Sequence, residues 1–252
     1  MEPISIIMPV LGQHQYTKSF FERFNKTVSE DYEFIIINNG KDKETKDIIQ
    51  KQIESNYRIR VIENEKNTGV SASWNQGIKE SKYDYICIVN NDIEFLSAYW
   101  LTEMQNTLKK NSNIYWTSPA TVYTKDSKKQ CFKIHHYEQL RYGDNQLDCF
   151  APYIVGCCFM IPRKAFDDLG LFDEDFDIKY YEDLDFINRI LESGNKVMMT
   201  RQSLIYHAVG ATSRITPGGG ENESYYTKKW GDSRFNILSK QPPKIKSIKH
   251  FN

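Results

Sequence analysis

Ile86-Cys87-Ile88-Val89-Asn90-Asn91-Asp92-Ile93 runs from an apolar segment straight into three polar residues. Tyr85 to Val89 is short, apolar and β-branched, the composition of a strand buried on both faces of a parallel sheet. It stops abruptly at Asn90, Asn91 and Asp92. In open α/β sheets, ligands collect just past the carboxyl ends of the strands. An Asp with neighbouring amides at such an end can offer oxygen ligands to a hard divalent cation. The same three residue types also cap and bend backbone well, so this stretch alone leaves both readings open.

Upstream, apolar runs and helical periodicity alternate. Ile4 to Val10 reads as a buried strand, with Pro9 stopping its ladder. Tyr16 to Val28 places Phe20, Phe21 and Phe24 at helical spacing. Tyr32 to Ile37 is a second strand, ending in Asn38-Asn39-Gly40. Asp42 to Glu54 is a helix with acidic residues toward its start. Arg58 to Ile62 is a third strand, Asn67-Thr68-Gly69 a turn, and Val70 to Lys79 a helix. With Tyr85–Val89 as the fourth strand, the order β-α-β-α-β-α-β predicts a three-layer α/β/α sandwich, Rossmann-like, around a mostly parallel central sheet.

Downstream, Ala98 to Lys110 reads as an amphipathic helix, and Ile114–Tyr153 as irregular strands and loops. Ile154 to Ile161 is another buried strand. A helix follows, opened by Pro162 near its first turn and closed at Gly170. An acidic stretch, Asp173 to Asp177, precedes Tyr180-Tyr181-Glu182-Asp183-Leu184-Asp185. The helix running from there to Leu191 holds its carboxylates in the first turn, near the positive end of the dipole. Gly194 ends it, Lys196 to Met199 is a last strand, and Tyr206-His207 follows soon after.

The 252 residues suit one large domain or a domain with an appendage. Lys+Arg and Asp+Glu both number 33, so nothing global draws the chain to nucleic acid. The five cysteines make no even framework and no CxxC pair, which argues against zinc and for a reduced, intracellular, cytoplasmic protein. Met1-Glu2-Pro3-Ile4 lacks a signal peptide's charged and apolar regions. No run approaches the ~20 apolar residues of a membrane span. Neither GxGxxG nor GxxxxGK[ST] occurs, so a nucleotide's phosphates must be neutralised in another way, with a metal at Asp92 the natural candidate.

Taken in order, these motifs resemble family 2 glycosyltransferases of the GT-A fold, inverting enzymes that use nucleotide sugars. The resemblance covers roughly the first five-sixths of the chain. Ser5 to Val10 is similar to the family's opening nucleotide-binding strand, and Ile36 to Gly40 to its second strand end, with Asn38 where an Asp commonly contacts the base. Asn67-Thr68-Gly69 and Asn75-Gln76-Gly77 resemble the paired Asn-x-Gly elements before the metal motif. Asn90-Asn91-Asp92 resembles a DxD-type motif in its Asn-x-Asp form. Val155 to Cys158 and Gly170 to Asp173 resemble the acceptor-side segment, Glu182 to Asp185 the ED-type motif, and Tyr206-His207 the late metal-site His.

The resemblance implies a metal-dependent inverting glycosyltransferase, moving a sugar from a UDP- or dTDP-sugar to the hydroxyl of a glycan or other acceptor. Asp92 and His207 would hold Mn²⁺ or Mg²⁺, and Asp183 would be the base, with Glu182 and Asp185 as alternatives. Pro9, Val10, Asn38, Asn67, Asn75, Asn90 and Asn91 are the expected nucleotide contacts. Turn chemistry is the competing account of Pro9, Asn38 and Asn67; a hydrogen-bonded structural role is that of His207. Arg214 and Lys228-Lys229-Trp230, beside the glycines 218–220, could close over the diphosphate or lie on a solvated loop. His135-His136 read as surface. Residues 1–95 would be the nucleotide-binding half and 96–235 the acceptor half of one domain. The basic tail, 236–252, suits either peripheral contact with anionic lipid or docking of a partner; a homodimer is also expected. The rival classes are a nucleotide-sugar-binding protein without turnover and a nucleotidyltransferase.

Overall fold

Four strands and three helices alternate over the first ninety residues, as the hydrophobic pattern predicts: β1 (Ile4–Val10), α1 (His14–Thr27), β2 (Tyr32–Asn38), α2 (Lys43–Ser55), β3 (Ile59–Glu63), α3 (Val70–Glu80) and β4 (Tyr85–Val89). The structure, a computed structural model, describes residues 1–126, 131–134, 148–150, 156–208 and 217–231. Local chemistry sets several boundaries. The Asp42 side chain caps α2, accepting from the Thr45 amide at 2.9 Å. Asn67 Oδ1 accepts from the Gly69 amide at 3.1 Å, forming the turn that opens α3. Pro9 does not end β1 on both sides. Pairing with β4 stops at Ile7↔Ile88, whereas pairing with β2 continues to Val10↔Asn38. The missing N–H falls where β4 no longer needs a donor.

After β4 come β5 (Ile93–Phe95), α4 (Trp100–Lys109), β6 (Ile114–Asp126), β7 (Cys131–Ile134), β8 (Asp148–Phe150), β9 (Cys158–Pro162), α5 (Arg163–Leu169), α6 (Glu182–Glu192), β10 (Lys196–His207) and α7 (Asn222–Trp230). Three differences from the sequence reading stand out. The region expected to be irregular contains β6, a strand of thirteen residues. The last strand is twelve residues long and carries Tyr206 and His207 within it rather than after it. The segment around Lys228-Lys229-Trp230 is a helix, not a loop. His135-His136, Arg214 and the tail from residue 236 lie outside the described residues.

The sheet order is β3-β2-β1-β4-β9-β6-β10-β5, with β7 on β6 and β8 on β10. Among these strands β1 to β4, β6 and β10 run one way, and β9 and β5 run against them. Alternation along the strands divides the core in two. Ile4, Ile6, Met8 and Val10 face a cluster with Phe20, Phe21, Phe24, Phe34 and Trp100. Ile7 faces the other, with Trp74, Trp116, Phe159, Phe166 and Phe186. Helices thus cover both faces. The carboxyl ends of β1, β2 and β4 lie side by side.

Candidate functional site

Polar side chains gather at those strand ends because apolar runs stop there and α3 begins there. The Asn39 amide N–H donates to the Val10 carbonyl at 2.8 Å, joining the ends of β1 and β2. Asn38 is fully buried and donates to both carboxylate oxygens of Glu63 at 3.1 and 3.0 Å, while its Oδ1 accepts from Gly40 N at 3.1 Å. Asn39 donates to Ser73 Oγ at 2.7 Å and accepts from Asn64 Nδ2 at 2.8 Å. The expected nucleotide contacts Pro9, Val10, Asn38 and Asn67 therefore stand around one rim, built from the ends of β1 to β3 and the start of α3. Two others are committed elsewhere. Asn91 donates to Thr17 of α1 at 3.0 Å, inside the protein. Asn75 donates to the Phe172 carbonyl at 2.8 Å and to Glu174 at 2.7 Å, and accepts from Phe172 N at 3.0 Å. Both amides fasten elements together.

Beyond β4 the chain turns at Asn90 and enters β5. There β10 lies antiparallel, in the register His207↔Ile93, which brings His207 beside Asp92. Nε2 of His207 is 3.3 Å from Asp92 Oδ1, and the Ala208 amide donates to the Asp92 carbonyl at 3.0 Å. Both side chains are nearly closed to solvent, at 7% for Asp92 and 6% for His207. Burial works against a charge on the imidazole. The neighbouring Cys157 sulfur and the Asp92 carboxylate outweigh it, and His207 is held above its ordinary 6.5, at about 10.

This pair fits a divalent cation of the Mn²⁺ kind. It offers one carboxylate and one imidazole, the mixed oxygen and nitrogen donors such ions accept. Its 3.3 Å spacing is close to the ~3 Å expected between two adjacent ligands of one ion. Among the described residues no group of three or more His, Cys, Asp or Glu side chains is arranged to hold a metal. An ion here would need further ligands from a diphosphate or water.

Asp183 is the second residue of α6 and only 9% exposed. Its Oδ2 accepts from the Gly156 amide at 2.8 Å and its Oδ1 from the Leu184 amide at 2.8 Å. A Cβ on residue 156 would come within 2.8 Å of Asp183 Cβ and 3.2 Å of Trp74, so only glycine admits this approach. The next residue closes the link. The Cys157 carbonyl accepts from Asn90 N at 2.8 Å, and its side chain meets His207. One dipeptide, Gly156-Cys157, thus touches Asp183 on one side and Asn90 and His207 on the other. A glycine inside an apolar strand pattern was the sequence signal for such a close approach.

Asp185, an alternative to Asp183, is occupied otherwise. It is wholly buried and receives Arg189 Nε at 3.0 Å, Lys229 Nζ at 2.8 Å and Trp230 Nε1 at 2.9 Å. Lys229 also pairs with Asp173 at 2.6 Å. Burial lowers the Lys229 pKa, but Asp173 and Asp185 raise it more, so the net shift is upward. Lys228-Lys229-Trp230, read as part of either a closing or a solvated loop, instead includes two residues that bolt α7 onto α6.

Comparison with known proteins agrees with this architecture. Over 82% of this chain and 56% of its own, a mannosyltransferase from Pyrobaculum calidifontis, solved with GDP-Man and Mn²⁺, superposes with TM-score 0.65 at 14% identity. GalNAc-T7, solved with UDP, GalNAc and Mn²⁺, superposes with TM-score 0.72 at 16% identity, over 95% of this chain and 50% of its own. These likenesses show the fold, GT-A. An uncharacterized glycosyltransferase of Bacillus subtilis, EpsJ, is 27% identical over 80% of this chain and 59% of its own length. The chain spans between a quarter and three-fifths of the length of the first curated relatives it matches, at 25%, 56%, 52% and 59%. The profile of the family described as "Glycosyl transferase family 2" matches residues 5–170, well over half of the chain, and the chain belongs to that family.

Proposed function

We propose that the protein is a metal-dependent, inverting glycosyltransferase that moves a sugar from a nucleoside diphosphate sugar, UDP- or dTDP-linked, to an acceptor hydroxyl. The observation that carries the reading is the Gly156-Cys157 dipeptide, which puts Asp183 within two residues of the contacts to Asn90 and His207. A leaving-group site and a base must face one substrate, and this arrangement supports that. The nucleoside lies along the rim at Pro9 and Asn67, over the buried Val10 and Asn38 that shape it from beneath, with Asn90 nearby. Asn75 and Asn91 act from behind, holding α3 and α1. Residues 1–95 form the donor half and 96–235 the acceptor half.

Asp92 and His207 would hold the cation. When bound, Mn²⁺ or Mg²⁺ supplies Lewis-acid stabilisation to the departing diphosphate. Asp183 accepts the proton of the acceptor hydroxyl at a carboxylate oxygen as that hydroxyl attacks the anomeric carbon. The Gly156 and Leu184 amides fix the direction in which this carboxylate points. The solved neighbours, in complex with a nucleotide or nucleotide sugar and Mn²⁺, support such a donor.

A thermal-shift screen of nucleotide sugars with and without Mn²⁺ tests the reading, because a ligand that binds only the native state raises its melting temperature. The expected result is a rise with a UDP- or dTDP-sugar that requires the metal, followed by release of the nucleoside diphosphate. Binding without any turnover would favour a nucleotide-sugar-binding protein. Release of pyrophosphate would favour a nucleotidyltransferase.

A further inference from the structure

Residues 177–181, which lead into α6, follow a path that L-residues resist. Ile178, Tyr180 and Tyr181 have φ of 46°, 77° and 75°. A left-handed backbone is disfavoured for any residue with a Cβ, and strongly so for a branched one. Such a segment persists only where its surroundings over-determine it. Here the surroundings converge on Asn222, the first residue of α7, which is 2% exposed and lies beyond the family-matched stretch. Its Oδ1 accepts from Asp177 N at 2.9 Å. Its Nδ2 reaches the carbonyls of Asp177, Lys179 and Tyr180 at 2.8, 2.9 and 3.1 Å. Gly218 and Gly219 run against the same loop. A Cβ at 218 would come 2.9 Å from Ile178 Cγ1, and one at 219, where φ is 81°, would strike the Lys179 carbonyl. From the other side, the Val70 amide at the start of α3 donates to the Ile178 carbonyl at 2.7 Å.

We propose that Asn222 is a positioning residue: by satisfying the loop's carbonyls it locks 177–181 in this left-handed path, and the path fixes where α6 begins and hence where Asp183 meets Gly156. Docking of α7 does not itself require Asn222, because Lys229 and Trp230 bind Asp185, and Asn188 donates to Tyr226. The inference rests on the reading of Asp183 as the base.

Asn222→Ala and Gly219→Ala test it by two routes, since the second presses on the Lys179 carbonyl without removing the amide. Amide hydrogen exchange needs no ligand. The expected result in each variant is exchange faster by about tenfold across 177–183 and at Gly156, with the central strands unchanged. Turnover is read as UDP release from UDP-glucose with Mn²⁺, and kcat is expected to fall by about tenfold or more. The Kd for UDP with Mn²⁺ is expected to change by no more than about threefold, because neither substitution removes a side chain of the donor rim, which the loop meets through the Val70 amide. Unaltered exchange at 177–183 and Gly156 would overturn the proposal, as would nucleotide affinity falling in step with kcat. If Asn222→Ala does not fold, Gly219→Ala carries the same outcomes. If the wild-type protein releases no nucleoside diphosphate from any nucleotide sugar of the thermal-shift screen, the catalytic reading has failed and exchange alone decides the lock.

Discussion

Asp183 and Asp185 lie two positions apart on one helix, yet their partners give them different work. Asp185 is sealed among Arg189, Lys229 and Trp230, while the Asp183 carboxylate accepts from the backbone amides of Gly156 and Leu184. Asp183→Asn keeps the size and removes the proton acceptor, with its NH₂ replacing one of the two oxygens that accept from Gly156 and Leu184. It is expected to lower turnover by about 10²- to 10⁴-fold with nucleotide binding retained, as measured by nucleotide release beside calorimetric binding. His207 carries a prediction in pH. Its folded value is raised to about 10 from 6.5, so in metal-free protein the charged pair with Asp92 contributes stability fully below about pH 6.5. That contribution is lost as pH rises through about 10. The stability of metal-free His207→Gln should therefore fall less steeply over that window than the wild type's. Mn²⁺ requires the neutral imidazole, so its affinity should rise with pH over the same range, with a proton released on binding; calorimetry in buffers of different ionisation enthalpy checks this. Asp92 stood out in the sequence because polar residues follow an apolar run there, whereas Asp183 and His207 were singled out by the resemblance of their motifs to the family's. The partners of Asn75 and Asn91 were not legible, since they lie 97 and 74 positions away and side-chain direction depends on them.

At the scale of elements, the strain before α6 is balanced by contacts from α3 and α7. Each left-handed, non-glycine residue costs on the order of 1–2 kcal/mol, so the start of α6 is held by tertiary partners rather than by local preference. Two substitutions separate the parts. Gly156→Ala forces Cβ into Asp183 and Trp74; it should reduce turnover by about tenfold or more while Mn²⁺-dependent nucleotide binding persists. Lys229→Met removes one cation from the bolt between α6 and α7 and leaves buried Asp185 with fewer donors. It should lower stability by about 1–3 kcal/mol in urea unfolding, without changing the slope with denaturant. The first four strands and three helices were legible because each has a clean apolar period. By contrast α7 was not: within it only Asn222 and Tyr226 are buried, so there is no apolar stripe to read. Nor was β6, whose sequence mixes Thr, Ser, Lys and Asp with its apolar residues.

Over the whole molecule, one sheet separates two aromatic-rich clusters, and the strand ends between them stay polar. Phe24 packs against Phe20, Phe21, Tyr32, Phe34 and Phe95 and is fully buried. Phe24→Ala should destabilise the fold by about 3–5 kcal/mol, read by denaturant unfolding, with no effect specific to the site. The mostly parallel sheet was legible from alternation alone, but the reversal of β9 and β5 was not. That reversal matters, because β5 meets β10 antiparallel and so delivers His207 to Asp92. In the proposed mechanism a cation held at Asp92 and His207 and a base at Asp183 serve one substrate. The most direct measurement compares Mn²⁺-dependent nucleotide binding and nucleotide release for wild type, Asp92→Asn and Asp183→Asn, using the donor that the thermal-shift screen selects. The account predicts that Asp92→Asn loses both, while Asp183→Asn binds as wild type and releases almost nothing. Turnover at the wild-type rate in Asp183→Asn, or metal-dependent binding unchanged in Asp92→Asn, would contradict it.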